Sequence, residues 1–299
     1  MRALGRYILA GRIQAIGVVS TLTIISWFLP PLTYLLSAVP VSLITLRRGP
    51  STGMQVILGT FLVTGLIAQI GSLGPSIAVA FALAIWAPSW LCAIVLRVTE
   101  SQGLLVMVAG VIGMLVVGSM HAFVSDVSAW WQKSFENWIN TAFPPDIAGD
   151  YEKLLQPAVQ YLNAMMGSAL VISLILTVLI ARWWQSSLFM PGGFRTEFHA
   201  LRLPRTLVFP TLLAVGLLYV DTGPVEPVIR DMVIVVLFLY LFQGVATIHR
   251  AVFGHHLSRV WLVGMYGLLF LLPQTVLFLA CVGMADSIID AGRPGPDKE

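Results

Sequence analysis

Nine stretches of this chain contain no Asp, Glu, Lys or Arg: Ile13–Leu29, Leu32–Leu46, Met54–Ile70, Ser76–Leu96, Leu104–Phe123, Ala158–Ile180, Thr206–Val220, Met232–Ile248 and Val260–Gly283. A bilayer core about 30 Å thick is crossed by about 17–25 apolar residues as helix, because backbone polar groups in lipid must bond within their own segment. Leu32–Leu46 and Thr206–Val220 are short at 15 residues; the others reach that length. The pattern predicts an all-α, polytopic integral membrane bundle of eight or nine transmembrane helices, nine if both short stretches cross.

Hydrophobic residues make up 58% of the 299 and charged residues 10%. A typical soluble domain has about 25% charged residues, so this surplus of apolar surface must face lipid. The length suits one transmembrane domain over residues 1–299 and leaves no room for a separate soluble one. Cys92 and Cys281 both fall inside apolar stretches, which gives no disulfide framework and no zinc site. Basic residues are scattered over short loops without a stripe, which argues against nucleic acid.

Charge sidedness predicts the topology. With the N-terminus in the cytoplasm and every stretch crossing once, Arg2, Arg6, Arg12, Arg47, Arg48, Arg97, Arg182, Arg195, Arg202, Arg205, Arg250 and Arg259 lie inside. Lys133, Lys153, Arg230, Arg293 and Lys298 lie outside, a bias of twelve against five. Short cytoplasmic loops accumulate Lys and Arg in this way. The opening Met-Arg-Ala-Leu-Gly-Arg has the charge of a signal-peptide start, but no cleavage site follows it, and it reads as a retained first helix.

Two connecting segments carry patterns of their own. In the outer segment 125–157, Val127, Trp130, Trp131, Phe135, Trp138, Ile139 and Ala142 share one helical face. A tryptophan-rich face of this kind suits the headgroup region, so the expectation is an interfacial amphipathic helix, with a lid over an outward pocket as the alternative. The inner segment 182–205 contains Pro191-Gly192-Gly193, a helix breaker, followed by Phe194, Phe198 and Leu201 at i, i+4 and i+7. Trp184, Pro191, Gly192, Gly193, Phe194, Glu197, Phe198 and Arg202 are the candidate partner-docking residues there.

Ionisable groups inside a bilayer default to functional candidates. His121, near the outer end of its stretch, is the one such group apart from cysteine and tyrosine. Arg230 and Asp231 are placed at the outer mouth of their helix and expected to be hydrated. No carboxylate is expected at mid-membrane. The neutral polar residues Gln55, Gln69, Asn163, Gln243 and Gln274, together with His121, are the candidate substrate-binding set; the alternative is hydrogen bonding between helices. No His-Glu-x-x-His or Gly-x-x-x-x-Gly-Lys-Ser/Thr occurs and no carboxylate pair falls within a stretch, so no enzyme, metal centre or cofactor is expected.

The run from Arg182 to Leu203, with Trp184-Gln185 followed by Pro-Gly-Gly-Phe-Arg-x-Glu-Phe-x-x-Leu-Arg, resembles the YybS-like bacterial membrane proteins, a family of unknown function. That family is distantly similar to the substrate-binding S components of energy-coupling-factor transporters and to the shape-determining protein MreD. The resemblance implies residence in the bacterial cytoplasmic membrane and either a small-metabolite-binding, transport-associated role or a non-transporting scaffold. Partners would be the lipid bilayer together with energy-coupling subunits or envelope machinery. In S components a small-xxx-small face on the first helix packs on a coupling subunit, to which Gly11 with Ala15 is similar.

Overall fold

The computed structural model describes residues 2–29, 32–144 and 153–289. Residues 145–152 of the outer segment, and the C-terminal stretch with Arg293 and Lys298, lie outside the described residues. Among the described residues all regular structure is helical. The helices are α1 (Arg2–Ala10), α2 (Arg12–Phe28), α3 (Leu32–Arg48), α4 (Pro50–Ile70), α5 (Ser76–Thr99), α6 (Gln102–Phe123) and α7 (Val127–Ala142). They continue with α8 (Leu162–Phe189), α9 (Gly193–His199), α10 (Val208–Leu217), α11 (Glu226–Gly254), α12 (Val260–Leu271) and α13 (Thr275–Ile289).

Five segments have both the length and the apolarity to cross a bilayer: α4, α5, α6, α8 and the Gly223–Gly254 segment that contains α11. In α8 and in Gly223–Gly254, 61% of the apolar window is buried inside the protein, against 28–39% in the other three. These two are therefore the most buried of the five. The shorter apolar helices are α2, Arg205–Leu217, α12 and α13.

Proline explains where the helices depart from the apolar runs. Val260–Gly283, expected as one crossing, is two helices broken at Leu272–Gln274. Pro273 has no N–H to continue the ladder. The carbonyl of Leu268 is shared by the Leu272 amide at 2.8 Å and the Thr275 hydroxyl at 3.2 Å. In α5, a π-helical turn over Ala82–Trp86 precedes Pro88 and re-spaces the ladder around the missing donor. Pro210 falls in the first turn of α10, where an amide has no intrahelical acceptor to lose.

The chain packs as two compact units, one of Met1–Ala109, Ile172–Leu203 and Val245–Tyr266, the other of Gly110–Val171, Pro204–Gly244 and Gly267–Glu299. In the first, α2 packs on α3 and α4, and α3 packs on the second half of α5. A positive φ of 102° at Gly49, followed by Pro50 at the first helical position, turns α3 into α4. Trp86 donates from Nε1 to Ser37 Oγ at 3.2 Å, and Trp90 Nε1 to the Pro50 carbonyl at 2.9 Å. Arginines close helix ends: Arg48 donates to the Leu9 and Ala10 carbonyls at the end of α1, and Arg97 to the Leu46 carbonyl near the end of α3. Such carbonyls have no intrahelical donor, and a guanidinium supplies one.

In the second unit helices meet backbone to backbone at glycines. A Cβ on Gly113 of α6 would stand 3.2 Å from the Gly167 carbonyl of α8, and one on Gly167 would stand 3.4 Å from the Gly113 carbonyl. Val235 of α11 faces both positions, at 3.6 and 3.5 Å. The α11–α13 approach is closer still, since a Cβ on Gly244 would lie 1.9 Å from the Leu279 carbonyl oxygen and one on Gly283 2.2 Å from that of Tyr240. In lipid such approaches supply the packing that the hydrophobic effect cannot.

α7 starts at Asp126, whose carboxylate accepts from the Ala129 amide at 2.8 Å as an N-cap. Val127 and Ile139 are buried, while Trp130 and Trp138 are 45% and 54% exposed, so the tryptophan face is only partly spent on the protein.

Candidate functional site

The α6–α8–α11 crossing places a polar cluster by helical spacing alone. Asn163 precedes Gly167 by four residues, Asp231 precedes Val235 by four, and His121 lies eight residues, about two turns, beyond Gly113. All three therefore emerge one or two turns from the glycine contact, on the faces that look at one another. Asp231 is 1% exposed and Asn163 2%. One carboxylate oxygen, Oδ2, receives Asn163 Nδ2 at 2.7 Å and lies 2.8 Å from His121 Nε2. Asn163 Nδ2 also reaches the Val117 carbonyl at 3.5 Å.

The second oxygens of both groups are unspent. Asp231 Oδ1 and Asn163 Oδ1 are buried with no hydrogen-bond donor. The nearest cation is Arg230, with Nε 3.8 Å from Oδ1. Its other nitrogens are engaged, Nη1 lying 3.3 Å from Glu226 Oε1 and Nη2 donating to the Gln160 carbonyl at 3.2 Å, while Nε is buried without a hydrogen-bond acceptor and the guanidinium sits 5.4 Å from the Tyr161 ring centre. A buried carboxylate is retained only where partners offset its lost hydration.

A second cluster joins α11 and α13. Gln243, fully buried, donates from Nε2 to Asp286 Oδ2 at 3.0 Å and accepts at Oε1 from the Ser287 hydroxyl at 3.0 Å. It lies beside the Gly244–Gly283 contact.

Of the six residues singled out as a substrate-binding set, the structure joins His121 to Asn163 through Asp231 and gives Gln243 its own carboxylate. Gln55 and Gln69 are exposed on α4, and Gln274 is exposed at the Pro273 break, so these three do not converge with the others. Asp231, expected to be hydrated, is instead the anchor of the first cluster. Asp286, assigned beyond the last crossing, faces the buried amide of Gln243. Sequence reasoning passed over both because a carboxylate beside Arg230, or near a run's end, looks solvated in a hydropathy window. The available signal was the continuation of the helix back to Glu226. Gln102, buried with both amide atoms unpartnered, also went unremarked.

The inner-segment residues are largely consumed within their own unit. Arg182 clasps Glu197 through Nε and Nη2 at 2.8 and 2.6 Å, and its Nη1 donates to Gln185 Oε1 at 2.8 Å. Leu46, Leu96, Arg97, Glu100, Arg182 and Gln185 line a cavity of about 270 Å³. Trp184 is buried under Gly5, where a Cβ would come 2.8 Å from its Nε1. The turn Pro191-Gly192-Gly193, with Gly192 at φ +92°, returns the chain so that the Phe194 amide donates to Ser186 Oγ at 3.0 Å. Phe194 stacks on Phe198, which meets His249 edge-on. Arg202 brings its backbone against α6, where a Cβ on Gly103 would overlap its carbonyl oxygen at 2.0 Å. Burial first, then Arg195 and Arg250, holds the His199 imidazole below its ordinary range and hence neutral at pH 7.

Long apolar helices with polar groups enclosed between them define a multi-pass α-helical membrane protein. The family model described as "Predicted membrane protein (DUF2232)" matches residues 17–287, and the chain belongs to that family. No curated protein and no solved structure matches it.

Proposed function

We propose that this protein is a transport-associated, solute-binding membrane protein whose binding site is the His121–Asn163–Asp231 cluster. The observation that carries the reading is a buried carboxylate and a buried amide, on two different core helices, each with an oxygen left without a donor. Helix-to-helix bonding alone would saturate such groups, whereas a ligand site keeps them open. The resemblance to S components points the same way. Energy would come from other subunits, because the sequence has no nucleotide-binding motif. The scaffold reading is weaker, since Glu197, Phe198 and Trp184 are engaged within the protein.

In this reading the chain sits in the bacterial cytoplasmic membrane with its N-terminus inside. Arg48, Arg97, His199 and His255 face the cytoplasm, and Asn140 and Asp221 the outside. Alkaline phosphatase and fluorescent-protein fusions at those six positions read the sidedness. Bright fluorescence from a fusion at Asn140 would overturn it.

The function is tested by uptake in a strain lacking the gene, with radiolabelled cationic, neutral and anionic solutes. Wild type restores uptake of at least one solute. The Asp231→Asn/Asn163→Ala double variant, present in the membrane at equal amount, restores less than about a tenth. Uptake unchanged by deletion across the panel removes the proposal.

A further inference from the structure

We infer that the cavity bounded by Arg97, Glu100, Arg182 and Gln185 holds a phosphodiester that carries a primary ammonium, the headgroup chemistry of phosphatidylethanolamine. Every residue of this cavity belongs to the first compact unit.

Its depth suits a headgroup. Leu46 stands near the end of α3, Arg97 in the last turn of α5 with Glu100 just past it, and Arg182 and Gln185 in the last two turns of α8. α5 and α8 are long and apolar enough to cross a bilayer, so the cavity of about 270 Å³ at their ends lies where hydrocarbon gives way to headgroups.

Its open chemistry has two signs. Arg182 is spent on Glu197 and on the Gln185 amide oxygen. Arg97 donates from Nη1 alone, to the Leu46 carbonyl. Among the described residues, Gln185 Nε2 has no acceptor and the Glu100 carboxylate has neither a hydrogen-bond donor nor an ion-pair partner. Two guanidiniums stand against Glu100 and, behind Arg182, Glu197, and no other ionisable side chain among the described residues lines the cavity. A simple anion would meet Glu100 and a simple cation would meet Arg97. A zwitterion satisfies both, with phosphate oxygens on Arg97 and Gln185 Nε2 and the ammonium on Glu100.

The placement of acids is selective. The first unit contains eleven arginines and two acidic residues, Glu100 and Glu197, and both stand at this cavity. Glu100 holds a left-handed φ of 53° at the end of α5, where glycine is the ordinary residue. Non-glycine residues kept in such a conformation cluster at ligand clamps.

The test is thermal unfolding of the full-length protein in a non-ionic detergent, alone and with phosphatidylethanolamine, phosphatidylcholine or phosphatidylglycerol of the same acyl chains. Phosphatidylcholine keeps the phosphate and the positive charge but has no N–H for Glu100, and phosphatidylglycerol has no cation. Phosphatidylethanolamine is expected to raise the unfolding temperature of wild type about 2–4 °C above either of the others, as linkage requires of a ligand held by the folded state. Glu100→Gly, which suits the left-handed backbone, should unfold no lower than wild type without lipid and respond equally to all three. Equal unfolding of wild type in the three lipids overturns the inference, as does a preference for phosphatidylethanolamine that survives in Glu100→Gly. A shift with water-soluble glycerophosphoethanolamine as large as that with the lipid keeps the chemistry of the site and identifies a soluble source.

Discussion

Replacing Asp231 by alanine is expected to cost about 3–5 kcal/mol of folding stability, the range for breaking a buried, hydrogen-bonded ionic group from one side. The loss exceeds that of a contact because three groups are stranded together: His121 Nε2, Asn163 Nδ2 and the Arg230 guanidinium all turn toward that carboxylate. Asp231→Asn keeps an oxygen for one of the two donors and should fall between wild type and alanine. The triple change His121→Leu, Asn163→Leu, Asp231→Leu removes the carboxylate with both of its hydrogen-bond partners, leaves Arg230 to Glu226, and should recover much of the lost stability while abolishing uptake. Thermal unfolding of the detergent-purified variants measures the order. Asp231→Ala within about 1 kcal/mol of wild type would mean that water reaches the site and that the carboxylate is not buried in solution.

Gly283→Val is the second large effect, expected to exceed about 3 kcal/mol and to remove most of the protein from the membrane. The Cβ would meet the Tyr240 carbonyl oxygen at 2.2 Å and the Gly244 nitrogen at 2.8 Å, and both are backbone atoms of a core helix that cannot rotate aside. α11 and α13 would have to separate, taking with them the bonds from Gln243 to Asp286 and Ser287. Gly283→Ala carries the same overlap. Gly264→Ala, at a position with nothing within 4 Å of the added carbon, is the matched control and should be neutral. Quantitative blotting of membrane fractions, with unfolding temperatures for whatever accumulates, reads both. Wild-type amounts of Gly283→Val would show that the two backbones are farther apart than described.

Charge-free runs placed most of the long helices, because a helix in lipid is specified locally: its own backbone bonds and its own apolar side chains suffice. The amphipathic face of Val127–Ala142 was legible for the same reason, with Asp126 standing where a cap is needed. What joins helices was not legible. His121, Asn163 and Asp231 are separated by 68 to 110 residues wherever they bond, and no window along the chain registers that approach. Gly167, which meets Gly113, and the Gly244–Gly283 pair carry no repeat that one sequence can display. Pro273 acts as a full break and not merely a kink, a difference decided by whether the freed carbonyl finds another donor. Here Thr275 supplies one.

The arginines that close helix ends also set an order of assembly. The end of α1 is completed by Arg48, that of α3 by Arg97 and that of α9 by Arg250, each reaching back 38 to 51 residues. Translation delivers every one of these donors after the helix it finishes. An early helix thus leaves the ribosome with open carbonyls and waits for a later helix to seal it, so the nascent chain matures in steps, each ratified by a residue still to be synthesised.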